Sequence, residues 1–272
     1  MTQAIKLAVS GAGGRMGNRI IALAAAQPDK FRLVAAIERA DSPWAGKDVG
    51  SLVGLSPTGV AITAKLPEAS QNTADVLIDF SAPAATRELI AVCRQQHIGM
   101  VIGTTGLAES DQLLINEAAR DIPILQAANT SLGVNLLLNI AAEVARKLGD
   151  AYDIEIVESH HNQKKDAPSG TALALAESIC TATNRNLSAS LEHGRHGGDA
   201  KRRPGTIGMH ALRMGDVVGE HTVYFATGGE RIEIRHVATT RDTFAMGALR
   251  AAAFIAGSKP GRYSMADVLG IL

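Results

Sequence analysis

Residues 5–17 read IKLAVSGAGGRMG, and this stretch decides the fold of the first part of the chain. Ile5 to Ser10 is a short apolar run typical of a buried strand, and a glycine-rich turn and a helix to about Gln27 follow it. Such glycines allow a tight turn and let the backbone approach a pyrophosphate at the helix N-terminus. The spacing departs from a plain GxGxxG, because the third place is Met16 and the next glycine is Gly17, so an ordinary turn stays an alternative.

The end of the second predicted strand supports a dinucleotide site. Phe31 to Ile37 is apolar and runs into Glu38 and Arg39. A carboxylate at this place is suited to a ribose 2′-hydroxyl, and a nearby arginine is suited to a 2′-phosphate. The alternative is a solvated charge pair at a strand end. Because both residue types are present, neither NADH nor NADPH is excluded as the cofactor.

Further strands and helices alternate up to about residue 130. Strands are predicted at Asp75–Phe80, Ile98–Ile102 and Ile122–Ala127, after a loop over Asp41–Thr58 and a minor strand at Val60–Thr63. This alternation predicts a parallel sheet with right-handed crossovers. Ligands bind such sheets beyond the carboxyl ends of the strands. The glycine turn, Glu38 and Arg39, and the turns that follow the later strands at Gly103 and Asn129 are expected to meet at that edge.

The composition changes beyond this region. A helix over Leu132–Leu148 leads to a strand from Asp153, and three later strands at about 206–213, 220–226 and 231–238 are joined by short glycine turns, as in an antiparallel meander. The helix Phe244–Gly257 is expected to return to the first domain. The predicted fold class is therefore α/β, with an N-terminal Rossmann-type parallel sheet and a second α+β domain that carries a mostly antiparallel sheet. The predicted domains are residues 1–130 completed by 241–272, and residues 131–240.

Residues 155–172, EIVESHHNQKKDAPSGTA, carry the candidate chemistry. A strand ends on His160 and His161, a loop with Lys164 follows, and Ser169 or Thr171 is the expected N-cap of an Ala/Leu-rich helix. A helix N-terminus favours anions. A titratable donor, a cation and an anion site together suit a small carboxylate substrate that is protonated as it reacts. The alternative for His160 is a core histidine bonded to backbone groups.

Composition limits the remaining possibilities. The chain of 272 residues has 27 basic and 27 acidic side chains, which gives no electrostatic reason to expect nucleic acid or membrane as a partner. Cys93 and Cys180 are predicted to be reduced core thiols, and no metal site is expected. No signal-peptide pattern precedes the first strand, so a cytoplasmic location is predicted. The Gly-, His- and Arg-rich stretch 193–205 is predicted to be a mobile loop, which either binds an anion or is solvated.

The stretch 155–172 resembles the signature of the 4-hydroxy-tetrahydrodipicolinate reductase family, also called dihydrodipicolinate reductases. That signature has the form E-I-x-E-x-H-x-x-x-K-x-D-x-P-S-G-T-A. The resemblance extends to residues 11–17, 38–39, 103–106, 127–131, 204–208 and 219–222, and so spans nearly the whole chain. It implies NADH- or NADPH-dependent reduction of a cyclic intermediate of lysine and diaminopimelate synthesis, by a homotetramer whose second-domain sheets form the central contact.

The resemblance also implies roles for individual residues. His160 matches the proton donor and Lys164 its partner, while Ser169 lies in the matching anion-site motif and the substrate carboxylates are matched by His161, Gly170 and Thr171. The implied cofactor site comprises Gly11, Ala12, Gly13, Gly14, Arg15, Met16, Gly17, Glu38, Arg39, Gly103, Thr104, Thr105, Ala127, Ala128, Asn129 and Thr130. Some members have Phe where this chain has Thr130, so an aromatic shelf for the nicotinamide is not expected there.

The chemistry is consistent with these roles. Hydride addition to a conjugated C=C–C=N system leaves negative charge on the far atom, where a histidine can deliver a proton near neutral pH and a lysine can stabilise the charge. Two alternatives stay open. One is another Rossmann-type semialdehyde or amino-acid dehydrogenase, which would have no need for the anion site at Pro168–Thr171. The other is a non-catalytic NAD(P)H sensor, which would need neither His160 nor Lys164.

Overall fold

The computed structural model describes residues 3–71 and 73–271 and divides the chain into two compact units. One unit is made of the residues up to Leu132 together with those from Arg241 onward, and the other is Gly133–Thr240. In the part of the chain that is described, no helix has the length and the apolar character needed to cross a membrane.

The first unit is built on a parallel sheet of seven strands. The strands are β1 Ile5–Ser10, β2 Phe31–Ile37, β3 Ile62–Thr63, β4 Val76–Asp79, β5 Gly99–Ile102, β6 Pro123–Gln126 and, from the end of the chain, β12 Gly261–Tyr263. Their order in the sheet is β12-β6-β5-β4-β1-β2-β3, and every pairing is parallel. The central strands are continuous apolar runs that are fully buried, as expected of a parallel sheet covered on both faces.

Helices cover both faces of this sheet. They are α1 Arg15–Ala25, α2 Val49–Val53, α3 Pro83–Gln96, α4 Glu109–Ala118, α8 Asp242–Ile255 and α9 Met265–Leu269. On one face α1 and α8 pack together through residues such as Ile20 and Leu249. On the other face α3 and α4 contribute Cys93 and Ile115 to a second buried cluster. The predicted Rossmann-type parallel sheet is confirmed.

Short elements account for the differences from the sequence-based prediction in this unit. Helix α2 lies inside the predicted loop 41–58, and the side chain of Asp48 caps it by accepting from Gly50 N at 2.7 Å. Strand β12 was not predicted, because three residues carry too little periodicity to be recognised. Strand β3 covers only the last two residues of the predicted strand 60–63.

The second unit packs two long helices and one short helix with a five-stranded sheet. Helix α5, Leu132–Leu148, is followed by a short 3₁₀ turn at Gly149–Ala151, strand β7 Asp153–His160 and helix α6 Gly170–Ala182. Helix α7 Leu187–Ser190 and strands β8 Leu191–His193, β9 Ile207–Arg213, β10 Gly219–Thr227 and β11 Glu230–Ala238 complete it. Residues of α5 and α6 pack on Ile154, Ile156 and Phe225 to form the core. Neither α7 nor β8 was predicted.

The second sheet is mixed, and the predicted meander is wrong at one position. The strand order is β11-β10-β7-β9-β8, so β7 lies between β9 and β10 and pairs parallel with β9 and antiparallel with β10. The β8–β9 pairing is also parallel. A loop over residues 214–218 can cross the end of β7, because two strand spacings are only about 10 Å and each extended residue spans about 3.3 Å. The five-residue connection between β9 and β10 is therefore long enough for the two strands to lie on either side of β7.

Candidate active site

The glycine turn after β1 is held too tightly to accept side chains. Gly11 has φ +73°, and a Cβ atom there would lie 2.2 Å from the carbonyl oxygen of Phe80. A Cβ atom on Gly17 would lie 2.1 Å from the carbonyl oxygen of Gly11. Helix α1 then begins after Gly14 with no side-chain cap and no acidic residue in its first turn. This arrangement fits a dinucleotide pyrophosphate, because it combines close backbone approach with a helix N-terminus.

Glu38 is fixed beside this turn at the end of β2. Its Oε2 atom accepts from Gly13 N at 2.8 Å, and its Oε1 atom accepts from Arg39 N at 3.0 Å. The side chain of Arg39 pairs with Asp41 at 3.2 Å, and both side chains are largely exposed, at 79% and 74%. The Glu38 carboxylate is thus positioned by backbone N–H groups, whereas the Arg39 guanidinium is held by a surface ion pair.

The Gly103 turn is positioned by a buried aspartate that sequence reasoning did not single out. Asp79 ends β4 with no exposed surface, and it accepts from Ser81 Oγ and Thr86 Oγ1 at 2.5 Å each and from Thr104 Oγ1 at 3.0 Å. A Cβ atom on Gly103 would lie 2.3 Å from the ring of Phe80. The signal that was available is an aspartate at the end of an apolar strand, followed by hydroxyl residues.

The turn after β6 leads to a buried threonine. The Asn129 side chain accepts from Ser131 N at 2.9 Å. Thr130 is 1% exposed, and its hydroxyl donates to the carbonyl oxygen of Phe244 at 2.7 Å. The hydroxyl of Thr130 therefore forms an internal hydrogen bond to the backbone of α8.

These segments lie at one edge of the first sheet. The turns follow β1, β2, β5 and β6, which are parallel strands of one sheet, so their carboxyl ends point the same way. The predicted cofactor residues differ in burial. The buried ones are Ala12, Gly17, Gly103, Thr104 and Thr130, the exposed ones are Gly14, Arg15, Arg39, Thr105 and Ala128, and the intermediate ones are Gly11, Gly13, Met16, Glu38, Ala127 and Asn129.

In the second unit His160 ends β7 in a mostly buried position. Its side chain is 12% exposed, its Nδ1 atom lies 2.6 Å from Glu158 Oε2, and its ring packs edge-on against His221 with centroids 5.3 Å apart. Burial lowers the pKa of His160 below the ordinary histidine value, although the carboxylate of Glu158 opposes this. A Cβ atom on Gly219 would lie 3.1 Å from Nε2, so the glycine gives that nitrogen room.

Glu158 is the most buried charged group of this cluster. Its side chain has no exposed surface, and Arg213 binds it in a bidentate manner with two contacts of 2.8 Å. Burial acts to raise the pKa of Glu158, but hydrogen bonds from Arg213 and His160 outweigh it, and the pKa lies below the usual range. Glu158 is therefore a carboxylate at neutral pH.

The loop after β7 carries Lys164 and is held at both sides. Lys164 Nζ donates to Asp166 Oδ1 at 2.9 Å, and its side chain is 20% exposed. The carbonyl oxygen of Asp166 accepts from Arg213 Nη2 at 2.6 Å. His161 is half-buried, and its carbonyl oxygen accepts from Lys164 N at 3.1 Å. Lys165 is exposed.

Ser169 is the N-cap of α6, which decides between the two residues considered from the sequence. Its Oγ atom accepts from Ala172 N at 3.2 Å and lies 2.9 Å from His221 Nε2. Burial lowers the pKa of His221 to about 4, so this ring is neutral near neutral pH. Gly170 and Thr171 form the first turn of α6, which contains no acidic side chain.

The structure thus brings His160, Lys164 and the start of α6 together within the second unit. Sequence reasoning assigned no role to Glu158, Arg213 or His221. The signal for Glu158 was its place two residues before His160, on the same face of a strand. No local signal indicated Arg213, which reaches the site only because β9 pairs with β7. Among the described residues, no group of three His, Cys, Asp or Glu side chains is arranged to hold a metal ion.

Two arginines of the basic stretch 193–205 form internal ion pairs. Arg195 binds Glu155 through contacts of 3.1 and 2.8 Å, and Arg202 Nε donates to the same carboxylate at 3.1 Å. His210 Nε2 lies 2.7 Å from it. Arg195 and Arg202 therefore bind a carboxylate of the protein itself, which differs from both alternatives considered from the sequence, an anionic ligand and solvent.

Comparisons with known proteins agree over the whole chain. The family described as "Dihydrodipicolinate reductase, N-terminus" matches residues 5–130, and "Dihydrodipicolinate reductase, C-terminus" matches residues 133–269. The 4-hydroxy-tetrahydrodipicolinate reductase of Hahella chejuensis is 48% identical, covering 98% of this chain and 99% of that protein. The enzyme of the same name from Acinetobacter baumannii is 44% identical, covering 100% and 98%. A solved structure, the dipicolinate-bound dihydrodipicolinate reductase of Paenisporosarcina sp. TG-14, superposes with a TM-score of 0.75 at 23% identity, covering 99% of this chain and 100% of that one.

Proposed function

The chain belongs to the dihydrodipicolinate reductase family, and on this premise we propose how its own residues perform the reaction. Its activity is the nicotinamide-dependent reduction of 4-hydroxy-tetrahydrodipicolinate to tetrahydrodipicolinate in diaminopimelate and lysine biosynthesis. The proposed proton donor is His160, and Lys164 is its proposed partner. The observation that carries this assignment is the cluster around the Glu158–Arg213 pair. His160 and the N-cap Ser169 of α6 bond to Glu158, and Lys164 is linked to Arg213 through Asp166.

The substrate is a small dicarboxylate, and the proposed anion site is the start of α6. The helix N-terminus favours negative charge through its backbone N–H groups and its dipole. Its first turn, with Gly170 and Thr171, has no acidic side chain to repel a carboxylate. His161 and Lys164 lie on the loop that leads into this helix and are the proposed further contacts.

The net reaction replaces the substrate hydroxyl by hydrogen, so it consumes one hydride and one proton and releases water. When bound, the nicotinamide supplies the hydride. His160 delivers the proton from Nε2, because Nδ1 is engaged by Glu158 at 2.6 Å. Lys164 stabilises the negative charge that develops on the substrate, and a positioned acid typically contributes about 10²–10⁴ in rate.

The proposed cofactors are both NADH and NADPH. The Glu38 carboxylate, fixed by Gly13 N at 2.8 Å, is suited to accept from a ribose hydroxyl. Arg39 is exposed and paired with Asp41, and its guanidinium can turn to a 2′-phosphate with little loss of free energy. The remaining predicted cofactor residues, from the Gly103 and Asn129 turns, are proposed to line the same edge.

The chain is further proposed to form a homotetramer in the cytoplasm through the face of its second sheet that lies opposite α5 and α6. A row of cross-strand neighbours, Val237, Glu220, Ser159 and Leu212, crosses the face opposite α5 and α6. Val237 and Leu212 are 44% and 47% exposed there. Apolar side chains exposed on a sheet face are typical of a surface that another copy covers.

The test is NADH and NADPH oxidation with the cyclic substrate generated in situ from pyruvate and aspartate semialdehyde. Turnover that depends on both precursors supports the assignment. Turnover with a semialdehyde or an amino acid alone would favour another dehydrogenase, and cofactor binding without any turnover would favour a sensor.

Light scattering at several concentrations measures the oligomeric state, and a monomer would exclude the proposed tetramer.

A further inference from the structure

Glu158 has a complete set of hydrogen-bond donors around its carboxylate. Oε2 accepts from Arg213 Nη1 at 2.8 Å and faces His160 Nδ1 at 2.6 Å, while Oε1 accepts from Arg213 Nη2 at 2.8 Å and from Ser169 N at 3.0 Å. Each oxygen thus has two partners, which matches the acceptor capacity of an ionised carboxylate. We propose that Glu158, held by Arg213, is a positioning residue that fixes both the tautomer of His160 and its place relative to the substrate anion site.

The tautomer follows from the donor count. An ionised carboxylate can only accept, so His160 Nδ1 carries a hydrogen and donates it to Glu158 Oε2. When the ring is neutral, its lone pair is therefore on Nε2, next to the space that Gly219 leaves open. Proton uptake and delivery take place at that nitrogen alone.

The same carboxylate sets the position of the anion site. Oε1 accepts the backbone N–H of Ser169, and Ser169 is the N-cap from which α6 starts. Arg213 extends the connection to the carbonyl oxygen of Asp166, whose side chain holds Lys164. His160, Lys164 and the start of α6 are thus all held in position by the ion pair of Glu158 and Arg213. This inference rests on the proposed roles of His160 and Lys164, and it assigns a positioning role to the Glu158–Arg213 pair beside them.

Removing the charge of Glu158 is expected to change the pH dependence of kcat, because that charge favours the protonated form of His160. The groups that face the His160 ring are Glu158 on its own strand, Arg213 on β9, His221 on β10 and Lys164 on the loop. Without the Glu158 charge only cations and a neutral ring remain, so the protonated form of His160 is destabilised and its pKa falls. Proton delivery requires the protonated ring, and turnover falls as pH rises through this pKa. The alkaline limb of kcat therefore moves to lower pH, by about one unit or more.

The direct test is ¹⁵N NMR of the histidine ring nitrogens in the full chain, at a pH where His160 is neutral. The His160→Gln variant identifies the signals, and no substrate or turnover is needed. We expect the Nδ1–H tautomer in the unmodified chain and loss of that preference in Glu158→Gln. A neutral His160 in the Nε2–H form would overturn the proposal. Absence of turnover in the unmodified chain would instead sink the proposed function, because the tautomer result does not depend on it.

The kinetic test compares Glu158→Gln with Glu155→Gln, the matched change on the other face of β7. For Glu158→Gln we expect kcat to fall about 10²-fold, with the shifted alkaline limb, and NADH affinity to stay unchanged. Glu155→Gln should keep the pH profile of the unmodified chain. Equal losses and identical profiles in the two variants would mean that Glu158 is only structural. If Glu158→Gln folds poorly, the variant Glu158→Gln/Arg213→Gln removes the unpaired guanidinium as well. Because Arg213 also lowers the pKa of His160, a smaller shift of the alkaline limb in the same direction is expected there, and an unshifted limb would overturn the proposal.

Discussion

Strand β7 carries two glutamate–arginine clusters of similar composition on its opposite faces. Glu155 and Glu158 each bind an arginine through two contacts and each lie within 2.7 Å of a histidine nitrogen. They differ in burial, because the Glu155 side chain is 23% exposed and that of Glu158 is fully buried. Similar chemistry can therefore serve different purposes according to what surrounds it.

The partners of each cluster explain the difference. Glu155 binds Arg195 and Arg202, which belong to the long connection between β8 and β9, so this cluster fastens a loop to the sheet. Glu158 lies nearer the end of β7, where the chain turns into the loop with Lys164 and then into α6. Its cluster therefore joins three segments that carry the proposed chemistry. A charged residue that is buried among reactive groups is the stronger candidate for a functional role.

The largest expected effect is on stability and compares the two arginines. Arg213→Met leaves the buried Glu158 carboxylate without its cationic partner, and breaking a buried ion pair typically costs about 3–5 kcal/mol. Arg195→Met leaves Glu155 with Arg202 and with solvent, so we expect a loss of about 1 kcal/mol or less. Urea unfolding of both variants at neutral pH, followed by circular dichroism, measures the difference. Equal losses of unfolding free energy in Arg213→Met and Arg195→Met would show that the difference in burial does not distinguish the two clusters.

The next effect concerns the histidine of each cluster. We expect His160→Gln and Lys164→Ala each to lower kcat by about 10²-fold, since they remove the proton donor and the stabilising cation. His210→Gln, the matched change beside Glu155, should keep kcat within about twofold. Steady-state kinetics with the in situ substrate, together with NADH titration by fluorescence, separates turnover from cofactor binding. Near-normal turnover in both His160→Gln and Lys164→Ala would contradict the assignment.

The fold was predictable where the signal is local. Apolar runs such as Val76–Ile78 and Met100–Ile102 are bounded by turn residues and predict buried strands without knowledge of their neighbours. Pairing is not local, so the placement of β7 between β9 and β10 did not follow from a five-residue connection. The three-residue strand β12 pairs with β6 from the far end of the chain, where no periodic pattern can develop.

The candidate site shows the same division. His160, Lys164 and Ser169 lie in one continuous stretch, so their proximity could be predicted from a strand, a short loop and a helix start. Arg213 and His221 enter through strand register, since β9 places Arg213 opposite His160 and β10 places His221 opposite Glu158. Their contribution could not be derived from spacing alone. On and after strand β7, the sequence therefore indicated the residues proposed to react, but not those proposed to position them.

A smaller effect is expected at the helix start that Glu158 anchors. Thr171→Ala should raise KM for the substrate about fivefold with little change in kcat, because one hydrogen bond contributes about 1 kcal/mol and this contact is made in both the ground and transition states. Thr183→Ala, at the other end of α6, is the matched control. Pyridine-2,6-dicarboxylate should compete with the substrate, and this inhibitor should weaken in Thr171→Ala but not in Thr183→Ala. No inhibition at millimolar concentrations would exclude a dicarboxylate site at α6.

The smallest effect is expected at a third carboxylate–arginine pair, Arg39 and Asp41 in the first unit. Both side chains are mostly exposed, so this pair contributes little to stability, in contrast to both clusters on β7. Its expected role is cofactor choice. The Arg39 guanidinium attracts a 2′-phosphate, and the backbone-held Glu38 carboxylate accepts from the NADH ribose. Arg39→Ala should raise KM for NADPH about threefold and spare NADH, since an exposed ion pair contributes about 0.2–1 kcal/mol.

Two further variants sharpen this last prediction, because Asp41 competes with the phosphate for Arg39. Asp41→Asn should lower KM for NADPH by a few-fold, since it releases the guanidinium and removes a nearby negative charge. Glu38→Ala should raise KM for NADH and leave NADPH less affected. All KM series require one fixed ionic strength, because salt screens the phosphate contact of an exposed arginine. Equal losses for both cofactors in Arg39→Ala would mean that the pair of Arg39 and Asp41 is only a solvated strand end. The exposed guanidinium of Arg39 would then have no part in the reaction, in contrast to the role proposed for Arg213 beside Glu158.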